Sequence, residues 1–349
     1  MEGTMVKAVI VGERQADLVE MPIPQPKADW ALVKMRVVPM CTEYKAWLRG
    51  PRSPGERINA LGHEGAGEVV QVAQPCGVKV GDRVVVMGAG PCGRCAYCRA
   101  GDFLHCPYQA QYADFTGEAE PTGAYAQYRL GAAWLLPKIP DDISFEHASM
   151  AWCGLGPTFG AMQTIGMNAL DTVLITGAGP VGQGGIVNAK YRGARVIVAE
   201  LEPWRVERAK LLGADAVVDP RDEHVVEQIR EMTVDGLGVT CAIDCAGVVA
   251  SQRLCIDATR TKGRVCFVAE SSDPLPIRVS ADMLRKGLTL VGQWHYSLND
   301  FGQIMQVIRG SSDVLDVLIS HRFPMSRVQD ALALSASHEC GKIILDPWA

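Results

Sequence analysis

Four cysteines crowd into the stretch PCGRCAYCRAGDFLHC, at Cys92, Cys95, Cys98 and Cys106. In the order C-x2-C-x2-C-x7-C, on a loop that contains glycine, four soft thiolates can close a tetrahedron around zinc and leave no position open for a substrate. The spacing predicts a structural metal site that ties down an irregular lobe. Buried or disulfide-paired cysteines are the alternative.

A second pattern, Gly177-Ala178-Gly179-Pro180-Val181-Gly182, directly follows the apolar run Val173 to Ile175 and directly precedes a helix-like stretch. In that setting the glycines permit a tight turn and a close approach of backbone to a pyrophosphate, which sits at the positive end of the helix. Glu200 ends the next apolar run, 18 residues after Gly182. A carboxylate there accepts hydrogen bonds from both ribose hydroxyls and repels a 2′-phosphate, which favours NAD over NADP. Arg205, five residues on, is the feature that would soften the preference.

The third signal is Gly62-His63-Glu64, with Cys41 upstream in MCTEYKAW and Cys153 downstream in AWCGLG. A lone histidine beside a glutamate is more often a surface or core pair than a ligand. Two thiols outside the four-cysteine stretch make it a candidate metal site.

The elements that must carry these residues fall into two textures. From residue 5 to about 150, short runs rich in Val, Ile and Ala (Val6 to Val11, Glu68 to Val72, Arg83 to Met87) are punctuated by glycine and proline, which predicts an irregular, mostly β domain. From Asp171 a βαβ rhythm sets in, with strands expected at Thr172 to Thr176, Arg195 to Ala199, and within CAIDCAG, GRVCFVA and LTLVGQW. That rhythm predicts an α/β, doubly wound parallel sheet over residues 156–293. The tail from Phe301, one amphipathic helix pattern and the closing strand GKIILDP, is too little to fold alone and is expected to return to the first domain, which then comprises 1–155 and 294–349.

Composition narrows the function. The 349 residues are 48% hydrophobic, which excludes disorder, and carry 34 Lys plus Arg against 39 Asp plus Glu with no basic block. No nucleic-acid or membrane partner is expected, and no apolar run approaches the ~18 residues of a membrane span. Twelve cysteines in so large a chain suit a reducing cytoplasm and metal-bound thiolates rather than a disulfide scaffold. Cys76, Cys241, Cys245, Cys255, Cys266 and Cys340 show no ligand spacing and are expected to be free and buried. His105 and His147 are read as structural.

Taken together, the C…GHE pattern, the four-cysteine lobe, GDRV, TGAYAQY, the GAGPVG turn and the closing GKIILD resemble the zinc-containing medium-chain alcohol and polyol dehydrogenases, in order and over nearly the whole chain. The resemblance implies a GroES-like catalytic domain beside a Rossmann domain, two Zn2+ per chain (one catalytic, one structural) and NAD. It also implies a homodimer or homotetramer associating through the nucleotide domain. The catalytic zinc would be held by Cys41, His63 and either Glu64 or Cys153, the latter standing where polyol dehydrogenases usually have glutamate and classical alcohol dehydrogenases cysteine. In a Cys, His, Cys set, Glu64 is an outer or exchanging ligand.

The implied reaction passes hydride from a secondary alcohol, such as a polyol, cyclitol or hydroxy amino acid, to the nicotinamide, with zinc as Lewis acid. Relatives carry a Ser or Thr two residues after the first cysteine as a proton relay. Here Thr42 and Glu43 follow Cys41 as if one residue were missing. Either Thr42 fills the relay position, with Lys45 in place of a histidine further along, or Glu43 takes the proton itself. Trp294, His295 and Tyr296 match a segment lining the substrate and cofactor sites of sorbitol dehydrogenases, with His295 in place of arginine. Tyr44 and Trp47 are either an apolar wall of the site or core. Only 15 residues separate Cys106 from Thr122, too few for the long loop that narrows the pocket of classical alcohol dehydrogenases, which favours a polyol. Two other readings stay open: a reductase of a conjugated double bond or imine on the same scaffold, and a nucleotide-binding relative without catalysis.

Overall fold

A computed structural model describes residues 2–53, 56–58, 60–88, 90–108 and 123–349. The interval between Cys106 and Thr122 that bears on pocket width therefore lies largely outside the described residues. The chain divides into two compact units, Met1–Cys153 with Ser297–Arg309 and Ile319–Ala349, and Gly154–Tyr296 with Gly310–Leu318. Among the described residues no helix is long and apolar enough to cross a membrane.

The first unit is built on β3 (Trp30–Met40). On one side β3 pairs with β4 (Gly65–Val72), and on the other with β6 (Tyr128–Ala132) and β14 (Lys342–Asp346), all antiparallel. Strands β13 (Ile319–Pro324) and β5 (Arg83–Val86) extend this sheet at its two edges. β1 (Thr4–Gly12) and β2 (Gln15–Pro22) form a separate antiparallel pair. A strand paired on both sides and covered on both faces needs apolar side chains almost throughout. β3, WALVKMRVVPM, exposes only Arg36.

Three ends of this sheet converge. β3 stops at Met40, one residue before Cys41; β4 starts at Gly65, directly after His63 and Glu64; β14 starts at Lys342, its next residue Ile343 paired with Met40. The core beneath is Val33, Met35, Val69 and Val84 together with Val328, Leu332, Ile343 and Leu345 from the tail. Of the tail, Ser297–Arg309 and Ile319–Ala349 fall in the first unit and Gly310–Leu318 in the second. Helix Ser312–Leu318 buries Leu315 and Leu318, three residues apart on one face, against helices Pro180–Tyr191 and Pro203–Leu211 of the second unit. The unit boundaries also fall at 153/154 and 296/297, so Trp294, His295 and Tyr296 belong to the second unit rather than the first.

The second unit is a six-stranded parallel sheet of β7 (Thr172–Thr176), β8 (Arg195–Ala199), β9 (Ala216–Val218), β10 (Val239–Asp244), β11 (Thr259–Phe267) and β12 (Thr289–Gly292). Its spatial order is β12-β11-β10-β7-β8-β9. This is the doubly wound arrangement, with its switch point between β7 and β10, where ligands bind beyond the carboxyl ends of the strands.

Asp82 shows how the GDRV turn leading into β5 is held. Its carboxylate accepts the Lys79 N–H at 2.9 Å and the ammonium groups of Lys79 at 3.0 Å and Lys138 at 2.8 Å. Burial works against the charge, but these donors outweigh it and bring the carboxyl down to about 2. A carboxyl depressed in the folded state stabilises above its unfolded pKa, and the benefit fades as pH drops toward the folded value. Asp82→Asn should cost about 1–2 kcal/mol at pH 7, allowing for the solvent around both lysines. In urea denaturation the gap to wild type should narrow once pH falls below about 4.

Candidate functional site

In the second unit, β7 runs into Gly177, whose φ of 80° lies in the left-handed region, and Gly179 precedes a helix opening with Pro180 at its first turn. Gly182 has no room for a side chain, since a Cβ would stand 1.8 Å from the Gly177 carbonyl oxygen. Val181 is half-buried in that first turn. Glu200 is buried, and its carboxylate accepts N–H bonds from Ala178 at 2.6 Å, Leu201 at 2.7 Å and Glu202 at 2.9 Å. A carboxylate has about four acceptor positions, so one is left, on Oε2, for a ribose hydroxyl rather than the two expected. Glu200 thus also fastens the turn to the end of β8.

The Arg205 guanidinium lies 3.7–3.9 Å from where a Gly179 Cβ would be, and its buried Nε has no hydrogen-bond partner among the described residues. A cation over the start of a helix suits a phosphate-bearing ligand. The chemistry present fits a dinucleotide.

Sequence reasoning passed over Asp244. It is fully buried at the end of β10 and accepts the Thr176 hydroxyl at 2.9 Å, the Ser251 hydroxyl at 2.7 Å and the Gly247 N–H at 3.2 Å. The signal was present, an acid closing an apolar strand in CAIDCAG just as Glu200 closes VIVAE.

In the first unit the ligand atoms of Cys41, His63, Glu64 and Cys153 all lie within 4.8 Å of one another. His63 Nε2 stands 3.0 Å from Cys153 Sγ, and its Nδ1 stands 2.7 Å from Glu43 Oε1. Glu43 Oε2 accepts the Cys41 N–H at 2.8 Å and the Tyr125 hydroxyl at 3.0 Å. Glu64 Oε2 accepts the Cys153 N–H at 3.1 Å, while Oε1 is ion-paired with Lys342, both side chains being 0% exposed. Lys342 Nζ also reaches the Met40 carbonyl at 3.4 Å.

The Cys41 thiol is held well below its ordinary pKa, chiefly by the hydrogen bond from Cys153 and then, against burial, by the charge of Lys342. Burial also opposes charge on His63, but its bonds to Cys41 and Glu43 push the ring up to about 11. The neighbouring Cys41 and burial push the Cys153 thiol up, and burial raises Glu64, so of the two thiols Cys41 is the one held toward its thiolate, and two sulfurs with an imidazole are a donor set suited to zinc.

Thr42 is exposed at the start of helix Glu43–Arg49, and its side chain makes no capping bond. Lys45 is exposed on the same helix. Tyr44 packs edge-on to His338 at 6.0 Å, and Trp47, buried, donates to Gln329 at 3.1 Å. These two aromatic residues belong to the core rather than to a wall of the site. In the second unit Trp294 is 51% exposed, His295 is buried at φ 56°, and Tyr296 is buried edge-on to Phe159 at 5.5 Å.

In the four-cysteine lobe, Sγ separations are 3.5 Å for Cys95–Cys98 and 3.6 Å for both Cys95–Cys106 and Cys92–Cys106. Four sulfurs about 2.3 Å from a central zinc are about 3.8 Å apart, whereas a disulfide needs about 2.05 Å. Among the described residues no cysteine forms a disulfide. Of the six without ligand spacing, Cys241, Cys255, Cys266 and Cys340 are buried as expected, while Cys76 and Cys245 are half-buried. Within the lobe Phe103 is buried, edge-on to Trp134 and stacked on Trp152 at 5.9 Å. His105 pairs with Asp102 at 2.8 Å on the surface.

Removing one partner of a buried ion pair strands the other charge. Lys342→Met should therefore destabilise the protein by about 3–5 kcal/mol in denaturant unfolding, and Glu64→Gln in the same chain should recover part of the loss.

Residues 27–141 match the family model for the alcohol dehydrogenase GroES-like domain, and residues 180–310 that for zinc-binding dehydrogenases. An L-threonine 3-dehydrogenase of Symbiobacterium thermophilum is 31% identical, over 95% of this chain and 94% of its own. A sorbitol dehydrogenase of Bombyx mori is 28% identical over 97% of each chain. The crystal structure of an Escherichia coli CFT073 alcohol dehydrogenase complexed with NADH superposes with a TM-score of 0.83 at 25% identity, covering 98% of this chain and 99% of that one. The chain belongs to the zinc-type medium-chain alcohol dehydrogenase family and is a zinc-dependent dehydrogenase.

Proposed function

We propose that this enzyme oxidises a secondary alcohol of a polyol, cyclitol or hydroxy amino acid with NAD, using Cys41, His63 and Cys153 to hold a catalytic zinc and Cys92, Cys95, Cys98 and Cys106 to hold a structural one. The observation that carries this reading is the gathering of the Cys41, His63, Glu64 and Cys153 donor atoms within 4.8 Å. Both oxygens of Glu64 are engaged, by Lys342 and by the Cys153 N–H, which supports an outer position for Glu64 and leaves Cys, His, Cys with one coordination position for substrate. When bound, zinc supplies a Lewis acid that makes an alcohol more acidic, and NAD accepts the hydride.

The chain's own part is to present donors and move one proton. Glu43 keeps the His63 proton on Nδ1, so that Nε2 faces the thiols. With its oxygens committed to His63, Cys41 and Tyr125, Glu43 is a poor acceptor for the substrate proton. Thr42 Oγ1, exposed and not used as a helix cap, takes that role, with Lys45 next on the helix toward solvent. The turn from Gly177 to Gly182, Glu200 and Arg205 bind the dinucleotide. The buried acceptor of Glu200 supports NAD over NADP. Relatives named for sorbitol and threonine support a secondary-alcohol substrate. The edge strand β12, with Val279 60% and Leu284 73% exposed near it in sequence, supports association of nucleotide units into a homodimer or homotetramer.

Elemental analysis of protein purified without added metal should give two zincs per chain for wild type and one for Cys153→Ala. One zinc in both would restrict metal to the four-cysteine lobe. In a panel read in both directions, polyols or threonine should drive NADH formation while conjugated enals and imines are not reduced. Enal or imine reduction without alcohol oxidation would replace this reading with the reductase.

A further inference from the structure

We infer that Tyr125 is a positioning residue for the Cys41, His63, Cys153 cluster, acting through Glu43 and through the backbone that carries His63. The inference rests on reading that cluster as a zinc site.

Two independent contacts point to it. Glu43 Oε2 receives two donors from different parts of the chain, the Cys41 N–H at 2.8 Å and the Tyr125 hydroxyl at 3.0 Å, while Oε1 faces His63 Nδ1 at 2.7 Å. Tyr125 is 1% exposed and Glu43 8%, so no bulk water replaces a missing donor. A glutamate carboxylate turns freely about its last bond unless both oxygens are engaged. Two donors on Oε2 fix the carboxylate plane and hold Oε1 on the imidazole. That fixes both the tautomer and the ring orientation, and with them the direction of the Nε2 lone pair.

The second contact is with the chain itself. Ala124 N–H donates to the Gly62 carbonyl at 2.9 Å and Tyr125 N–H to the Leu61 carbonyl at 3.0 Å. Gly62, one residue before His63, has φ 78°, and a Cβ there would stand 2.3 Å from Cδ1 of the Tyr125 ring. The ring sets the path of the backbone into His63, and the hydroxyl sets the side chain that orients it. Tyr125→Phe separates the two, because it keeps the ring against Gly62 and removes only the oxygen.

The test is zinc affinity of the full-length protein, measured by competition with a chromophoric chelator, together with the absorption spectrum of the Co2+-substituted form. Tyr125→Phe should raise the dissociation constant of one of the two zincs about tenfold and shift the Co2+ bands, with the other zinc unchanged. Glu43→Gln should weaken the same zinc. Adding Tyr125→Phe to Glu43→Gln should then change affinity by less than about twofold, as expected for two residues acting in series. An affinity within about twofold of wild type with an unchanged Co2+ spectrum overturns the inference, and so do multiplying losses in the double variant. If wild type binds no metal at this cluster, the zinc-site reading falls and this inference with it. If wild type binds metal and Tyr125→Phe behaves identically, only this inference falls.

Discussion

Lys342 and Glu64 form an ion pair with no access to solvent, beside two thiols and a second carboxylate. Desolvating two charges costs several kcal/mol each, recovered only where geometry is good and the remaining polar positions are filled. Here they are filled, since Glu64 also accepts the Cys153 N–H and Lys342 also reaches the Met40 carbonyl. The pair thereby joins the start of β14, the residue before β4 and the end of β3 at one point. Cys41, His63 and Cys153 each lie next to an atom of this small network. The buried ammonium of Lys342, supplied by β14, favours the charged forms of Glu64 and of Cys41 beside it.

The parts of the site legible in the sequence were those whose geometry is local. The four cysteines lie within one lobe, and the glycine turn lies between one strand and one helix, so spacing alone carries their chemistry. The role of Glu43 was not legible, because its partners His63 and Tyr125 are 20 and 82 residues away and only the sheet brings them together. Lys342 read as one residue of a closing strand for the same reason. Residues 310–318 were assigned with their neighbours in sequence, but Leu315 and Leu318 find their apolar partners in the nucleotide unit.

The unusual Cys41-Thr42-Glu43 sequence left two candidates for one proton-transfer role. The two differ in burial: Glu43 turns inward, with two donors on Oε2 and His63 Nδ1 beside Oε1, while Thr42 is exposed. Glu200 gives three of its acceptor positions to backbone N–H groups, those of Ala178, Leu201 and Glu202.

The stack of Phe103 on Trp152 links the lobe to the residue preceding Cys153. Both rings are buried, so the lobe and the residue before Cys153 share one packed contact. A side chain smaller than Phe103 would therefore loosen Trp152 and, through one peptide unit, the backbone at Cys153, so the packing of the lobe and the placing of that sulfur are set by the same pair of rings.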